Sequence, residues 1–129
     1  MSFPKHISDN FVVLTPDKHA HIEPFNANLY GRLDAVYGGF VGHELIACHS
    51  FTQDWGSWEM HPHGDEVVVL LSGAVRFVLQ TPGGDTAVLL SEQGHYVVVP
   101  KGVWHTAAII SPAKLLFITP GQGTEHRPA

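Results

Sequence analysis

Apolar and polar positions along this chain alternate with a period of two over many short stretches, and turn-forming residues separate the stretches about every ten residues. Residues 1–10 read as an arm, Phe11-Val12-Val13-Leu14 as a short strand, and Thr15-Pro16-Asp17-Lys18 as a turn. His19, His21 and Glu23 then alternate with Ala20 and Ile22, which predicts a strand with one wet face. From His43 to Thr52 the alternation returns and places His43, Leu45, Ala47, His49 and Phe51 on one face. Ser72-Gly73 predicts a tight turn between strands over 66–71 and 74–80. Thr81-Pro82-Gly83-Gly84-Asp85 predicts a hairpin loop into a return strand over 86–91. Trp104–Ile110 and Lys114–Thr119 form a further predicted hairpin across Ser111-Pro112. Phe25 to Gly42 is punctuated by glycines and shows no clear period, and no segment has a helical period of the length a globular helix needs. The pattern predicts an all-β chain with little or no helix, folded as a sandwich or barrel.

Two runs depart from alternation. Val67-Val68-Val69-Leu70-Leu71 and Tyr96-Val97-Val98-Val99 are apolar on both faces, whereas an antiparallel sheet with one solvated face alternates. One face therefore lines the barrel, and the other is expected to be covered by an N-terminal strand or by a second subunit. A homodimer joined through a sheet is the expected assembly.

The chemistry concentrates between Trp58 and Gly73, where Glu59, His61, His63, Asp65 and Glu66 fall within eight positions. On a strand Glu59 and His61 point the same way, and Pro62 and Gly64 break that strand before Glu66 opens the next. Imidazole and carboxylate from neighbouring strands are ligand types that hold a divalent first-row metal; the competing reading is a solvated hairpin end. A second stretch, Gly94 to His105, ends a strand in Pro100-Lys101-Gly102 and places His105 where the next apolar run begins. Together the two stretches resemble the paired motifs of the cupin superfamily. Gly94, Pro100, Gly102 and His105 match the family's second motif, G-x5-P-x-G-x2-H-x3-N, with Ile109 in place of the final Asn. In the first motif, G-x5-H-x-H-x3,4-E-x6-G, Glu66 and Gly73 have the required spacing. If His61 and His63 were the His-x-His pair, too few residues would separate His63 from Glu66. With Glu59 and His61 in those positions the spacing fits, so Glu59 replaces the first His and His63 is the alternative ligand. The Gly expected ahead of the pair is absent, since Gln53 and Trp55 stand there.

The resemblance covers roughly Trp58 to Pro120. It implies a double-stranded β-helix, or jelly-roll barrel, with one divalent metal in its mouth, held by Glu59, His61, Glu66 and His105. Two carboxylates favour Mn or Fe, with Zn or Ni possible. Followed along each strand, an inward Glu66 carries Val68 and Leu70 inward, and an inward His105 carries Ala107 and Ile109. Candidate pocket residues are His49, Arg76, Trp104 and Ile109; an inward Arg76 would clamp a substrate carboxylate, an outward one would be solvated. His63 is the candidate acid/base. Two function classes follow: a metal-dependent enzyme of dioxygenase, isomerase or cyclase type acting on a small oxygen-bearing metabolite, or a non-catalytic small-ligand-binding or sensor protein.

Length and charge agree. The 129 residues suit a single domain, with residues 1–40 as N-terminal arm and strands, 58–120 as the barrel motifs and 121–129 as a polar tail expected to fray. A net charge of −5 with neutral His argues against nucleic-acid binding. The apolar runs are far too short to span a membrane, and Met-Ser-Phe-Pro-Lys-His is no signal peptide, so a cytoplasmic protein is expected. Cys48, the single cysteine, sits mid-strand among apolar residues and reads as a small buried hydrophobe. Ten His exceed what one metal site uses, and the remainder fall to surface, pocket or core.

Overall fold

The aliphatic runs that lack alternation satisfy their backbones by pairing with each other. β5 (Glu66–Thr81) and β7 (Tyr96–Val99) run antiparallel, with Glu66 opposite Val99 and Val69 opposite Tyr96. A computed structural model describes residues 3–129; Met1 and Ser2, the start of the expected arm, lie outside the described residues. The strands β1 (Asn10–Leu14), β2 (Ala20–Pro24), β3 (Glu44–Phe51), β4 (Ser57–Met60), β6 (Gly84–Leu90), β8 (His105–Thr119) and β9 (Glu125–Pro128) complete a 9-stranded antiparallel sheet. One path through it runs β2-β1-β3-β8-β4-β9, and β5 joins β8 to β6 and β7.

β5 and β8 are the long members, and they correct two expected turns. Ser72-Gly73 and Ser111-Pro112 do not reverse the chain. Both strands run on and stay paired, with register shifts between Leu70 and Val75. Gly and Pro mark a bent, bulged strand pair as readily as a hairpin, and a barrel corner needs the bend. Gly73 adopts φ +84, and a Cβ there would lie 2.1 Å from the Pro112 carbonyl oxygen, so the corner closes only on glycine.

Strand parity fixes the core. From Glu66, the side chains of Val68 and Leu70 are buried while Val67 and Val69 are half-buried; beyond the bend, Val75, Phe77 and Leu79 continue inward. Phe77 is fully buried, and removing its ring would cost about 3–5 kcal/mol. A second apolar cluster joins Phe11 and Val13 of β1 to Leu45 and Ala47 of β3.

The segment without a readable period contains a helix, α1 (Leu29–Val36), followed by a 3-10 turn over Gly38–Phe40. Leu29 and Leu33, one turn apart, are its buried residues. Eight residues with only two inward positions are too few to show a helical period. The wet face assigned to β2 is also corrected: Ile22 is exposed, whereas Glu23 is half-buried and takes hydrogen bonds from Arg32 and Tyr37. The tail does not fray. β9 pairs with β4, placing Trp58 opposite Arg127 and Glu59 opposite His126. Cys48 is buried, as its neighbours imply. The N-terminal strands extend the β3 edge, and Tyr96 and Val98 of β7 remain exposed. Among the described residues no helix is long and apolar enough to cross a membrane.

Candidate metal centre

Three strands meet at the centre. β4 pairs with β8 at Glu59 opposite His105, and β8 pairs with β5, so the two sequence motifs come together through long-range pairing. The loops between them are tied as well: the Lys101 amide donates to Asp65 at 2.7 Å and the Gly102 amide to the His61 carbonyl at 3.0 Å. Asp65 is thus a structural acceptor joining the two motifs.

Glu59, His61 and His105 bring ligand atoms within 4.8 Å of one another. Glu66 lies between the two imidazoles, its Oε2 3.2 Å from His61 Nε2 and its Oε1 3.2 Å from His105 Nε2. Glu59 Oε2 stands 4.0 Å from both Nε2 atoms. His61, Glu66 and His105 are buried, and Glu59 is half-buried at the edge.

The partners of the remaining polar atoms fix which ring nitrogen is free. His105 Nδ1 is 3.2 Å from the Val103 carbonyl, which can only accept, so Nδ1 carries the proton. The Thr124 hydroxyl donates to the Gly121 carbonyl, leaving its oxygen to accept from His61 Nδ1 at 2.8 Å. Both rings therefore present an Nε2 lone pair to the same space. Thr119 donates to Glu66 Oε2 at 2.5 Å and leaves Oε1 free. The short Nε2 approaches to Glu66 lack hydrogen-bond alignment, so His61 Nε2, His105 Nε2 and Glu66 Oε1 are buried without a hydrogen-bond partner. Convergent lone pairs of this kind fit a cation and poorly fit a closed apolar interior.

Without an ion, a proton on His105 balances the Glu66 carboxylate in its place. Burial alone would raise the Glu66 carboxyl, but its polar contacts with His105 and His61 and their charge override this and hold it down at about 2. Burial pulls His105 down, yet the Glu66 carboxylate outweighs it and the ring is raised above its usual value. Glu66 is ionised throughout the ordinary pH range.

No protein-family model matches the chain, and no curated protein does. Solved structures do. A cupin-2 domain protein from Shewanella frigidimarina is similar at 22% identity and TM-score 0.51, over 60% of this chain and 70% of that one. Oxalate decarboxylase from Bacillus subtilis is similar at 19% identity and TM-score 0.53, over 66% of this chain and 23% of that one. Hydroquinone 1,2-dioxygenase from a Sphingomonas strain is similar at 18% identity and TM-score 0.50, over 67% of this chain and 60% of that one. This chain has the cupin fold.

The cluster forms one end of a cavity of about 810 Å³ that reaches from Glu59, His61 and Glu66 to Tyr30 and His49. Of the residues the sequence proposed for the pocket, His49 lines it and the others do not. Arg76 is exposed on the outward parity of β5, because Val75 and Phe77 take the inward positions. Trp104 lies under the Arg127 guanidinium at 4.4 Å, and Ile109 packs on the barrel core. His63 is exposed near Gly123 and is not part of the cavity wall, since Pro62 ends the β4 alternation that carries Glu59 and His61.

Sequence reasoning missed Thr119, Thr124, His126 and Tyr30. Thr119 stands at the β8 position opposite Glu66, since Val67 pairs with Ile118, and only the register of a bent pair reveals it. Thr124 and His126 come from the tail, where His126 Nε2 is 3.3 Å from Glu59 Oε1. Tyr30 comes from α1 and its hydroxyl lies 2.8 Å from His49 Nε2.

Proposed function

We propose that this protein is a metal-dependent enzyme of dioxygenase, isomerase or cyclase type, acting on a small oxygen-bearing metabolite, and that Glu59, His61, Glu66 and His105 hold one divalent ion. The observation that carries the reading is the convergence of two Nε2 lone pairs and the free Glu66 Oε1 in a buried space that gives them no hydrogen-bond partner. A buried polar group left unmatched costs about 1–3 kcal/mol, and a cation removes that cost. Two carboxylates with two imidazoles favour Mn or Fe, with Zn or Ni next. The Mn(II) centres of the Bacillus subtilis oxalate decarboxylase, a protein of the same fold, support that order.

When bound, the ion supplies Lewis-acid polarisation of a substrate oxygen. The chain supplies the rest. Thr124 and the Val103 carbonyl hold the imidazoles in one tautomer, and Thr119 holds the Glu66 carboxylate. Glu59 sits where the cluster meets the cavity, and His126, which lines the cavity 3.3 Å from Glu59 Oε1, joins His63 as a candidate for proton handling beside the ion. The bare apolar face of β7, Tyr96 and Val98, supports a homodimer.

The test is turnover. Protein stripped by chelator and reloaded with one metal at a time is assayed for oxygen uptake and for product formation from hydroxylated and oxo compounds. Activity restored by Mn or Fe and lost in Glu66→Gln is the expected result. Tight metal and ligand binding with no turnover under any metal would instead place the protein among ligand-binding or sensor cupins.

A further inference from the structure

The wall between the two ends of the cavity is aromatic. Starting at the cluster, the His105 ring is 6.1 Å from Trp55; Trp55 is 5.7 Å from Phe51 and 6.1 Å from Phe117; Phe117 is 5.9 Å from His49. Tyr30 stacks on His49 at 6.4 Å and shares a hydrogen bond with its Nε2. Phe51, Trp55 and Phe117 all line the cavity, so the chain of rings faces the space where a ligand would sit. Ring edges and faces at these separations accept a further ring in stacked or edge-to-face geometry.

The polar lining is selective in what it omits. Asp34, Asp54, Glu59 and Glu66 contribute to it, and no Lys or Arg does among the described residues. A phosphate or a second carboxylate would meet no cation at the far end. That end instead offers a neutral pair: burial lowers His49, and Tyr30, which is 53% exposed, carries a hydroxyl that partial burial and the charges of Glu59 and Glu66 push up. A phenol and an imidazole, both uncharged, can each donate or accept a hydrogen bond. They match an uncharged hydroxyl.

From this juxtaposition we infer that the cavity takes a one- or two-ring aromatic compound bearing two hydroxyls, one directed to the Glu59–His61–Glu66–His105 cluster and the other to the Tyr30–His49 pair, with the ring against Phe51, Trp55 and Phe117. The inference rests on the proposed metal centre for one end only. The aromatic wall and the Tyr30–His49 pair are independent of it.

Calorimetric binding of phenol, the three benzenediols, 1,4-cyclohexanediol and phenyl phosphate tests it, under argon, on the metal-free protein and on protein loaded with redox-inert Zn(II). At least one benzenediol should bind about 10-fold more tightly than 1,4-cyclohexanediol, as expected for ring–ring contacts. Phenyl phosphate should be the weakest aromatic ligand. Tyr30→Phe, which keeps the ring, should weaken the preferred diol by about 3- to 10-fold and leave phenol unchanged, the size expected for one hydrogen bond. Phe51→Leu serves as the second variant and should weaken every aromatic probe. Equal binding of benzenediols and cyclohexanediol in both forms, or no effect of Tyr30→Phe on any diol, would overturn the inference, whatever the metal content. A Tyr30-dependent diol preference in protein that retains no metal would uphold it while removing the metal reading.

Discussion

The two ends of the cavity are built on opposite principles. At the cluster end, buried lone pairs face one another without hydrogen-bond partners, and every other polar atom on those side chains is fixed by a hydroxyl or a carbonyl. At the far end, Tyr30 and His49 satisfy one another, and their surroundings are aromatic. An end that leaves polar atoms unmatched is completed by something else, and an end that matches its own polar atoms is complete as folded. The cluster should therefore govern metal content and stability together, while the far wall should govern ligand choice alone.

Removing Glu66 breaks that comparison most severely. Glu66→Ala leaves two buried imidazoles without their carboxylate, and the variant should lose its metal and about 3–5 kcal/mol of stability in denaturant melts. Acidity probes the same group more gently. In the metal-free protein, Glu66 held at about 2 contributes stability that is present above its ordinary value of 4.5 and is lost as pH falls towards 2. His105, raised above 6.5, contributes stability present below 6.5 and lost as pH rises through its elevated value. Thermal melts of the metal-free protein should accordingly peak between about pH 4.5 and 6.5. Metal competes with the proton on the imidazoles, so retention should improve as pH rises over the range where the metal-free protein weakens.

Thr124→Val removes the hydroxyl that accepts from His61 Nδ1 and donates to the Gly121 carbonyl, and should reduce metal affinity about 10- to 100-fold in competition titrations, with the fold intact. Tyr30→Phe sharpens the contrast from the other side. Metal content should match the parent protein, and stability should fall by no more than about 1 kcal/mol, the value of one exposed hydrogen bond. The smallest effect belongs to Arg127→Ala. Arg127 lies over Trp104 at 4.4 Å and Trp58 at 5.7 Å, and losing that contact should cost about 0.5–1 kcal/mol, seen as faster amide exchange along β9.

These contrasts also explain what the sequence showed and what it hid. Glu59, His61, Glu66 and His105 could be singled out because each stands at a local spacing within one of two short motifs. The parity that turned Val68 and Leu70 inward followed from Glu66 alone. Partners that arrive by long-range pairing left no local trace. Thr119 meets Glu66 through the pairing of the first half of β5 with the last half of β8, 53 positions away along the chain, and nothing local marks it. Thr124 and His126 lie in a segment whose composition matches a frayed end, yet whose backbone is held by β4. α1 was hidden by brevity, and with it Tyr30, the residue that completes the far wall. Arg76 could not be placed until the bulge between Leu70 and Val75 set the parity of the outer half of β5.

The most direct test of the central claim is the element-resolved metal content of protein prepared without a His tag, before and after chelator dialysis, with His105→Ala as control. Near-stoichiometric Mn or Fe in the parent protein, removed by chelator, regained on reloading and missing from His105→Ala, is the predicted result. A parent protein that retains no ion and rebinds none of Mn, Fe, Zn or Ni tightly would contradict it.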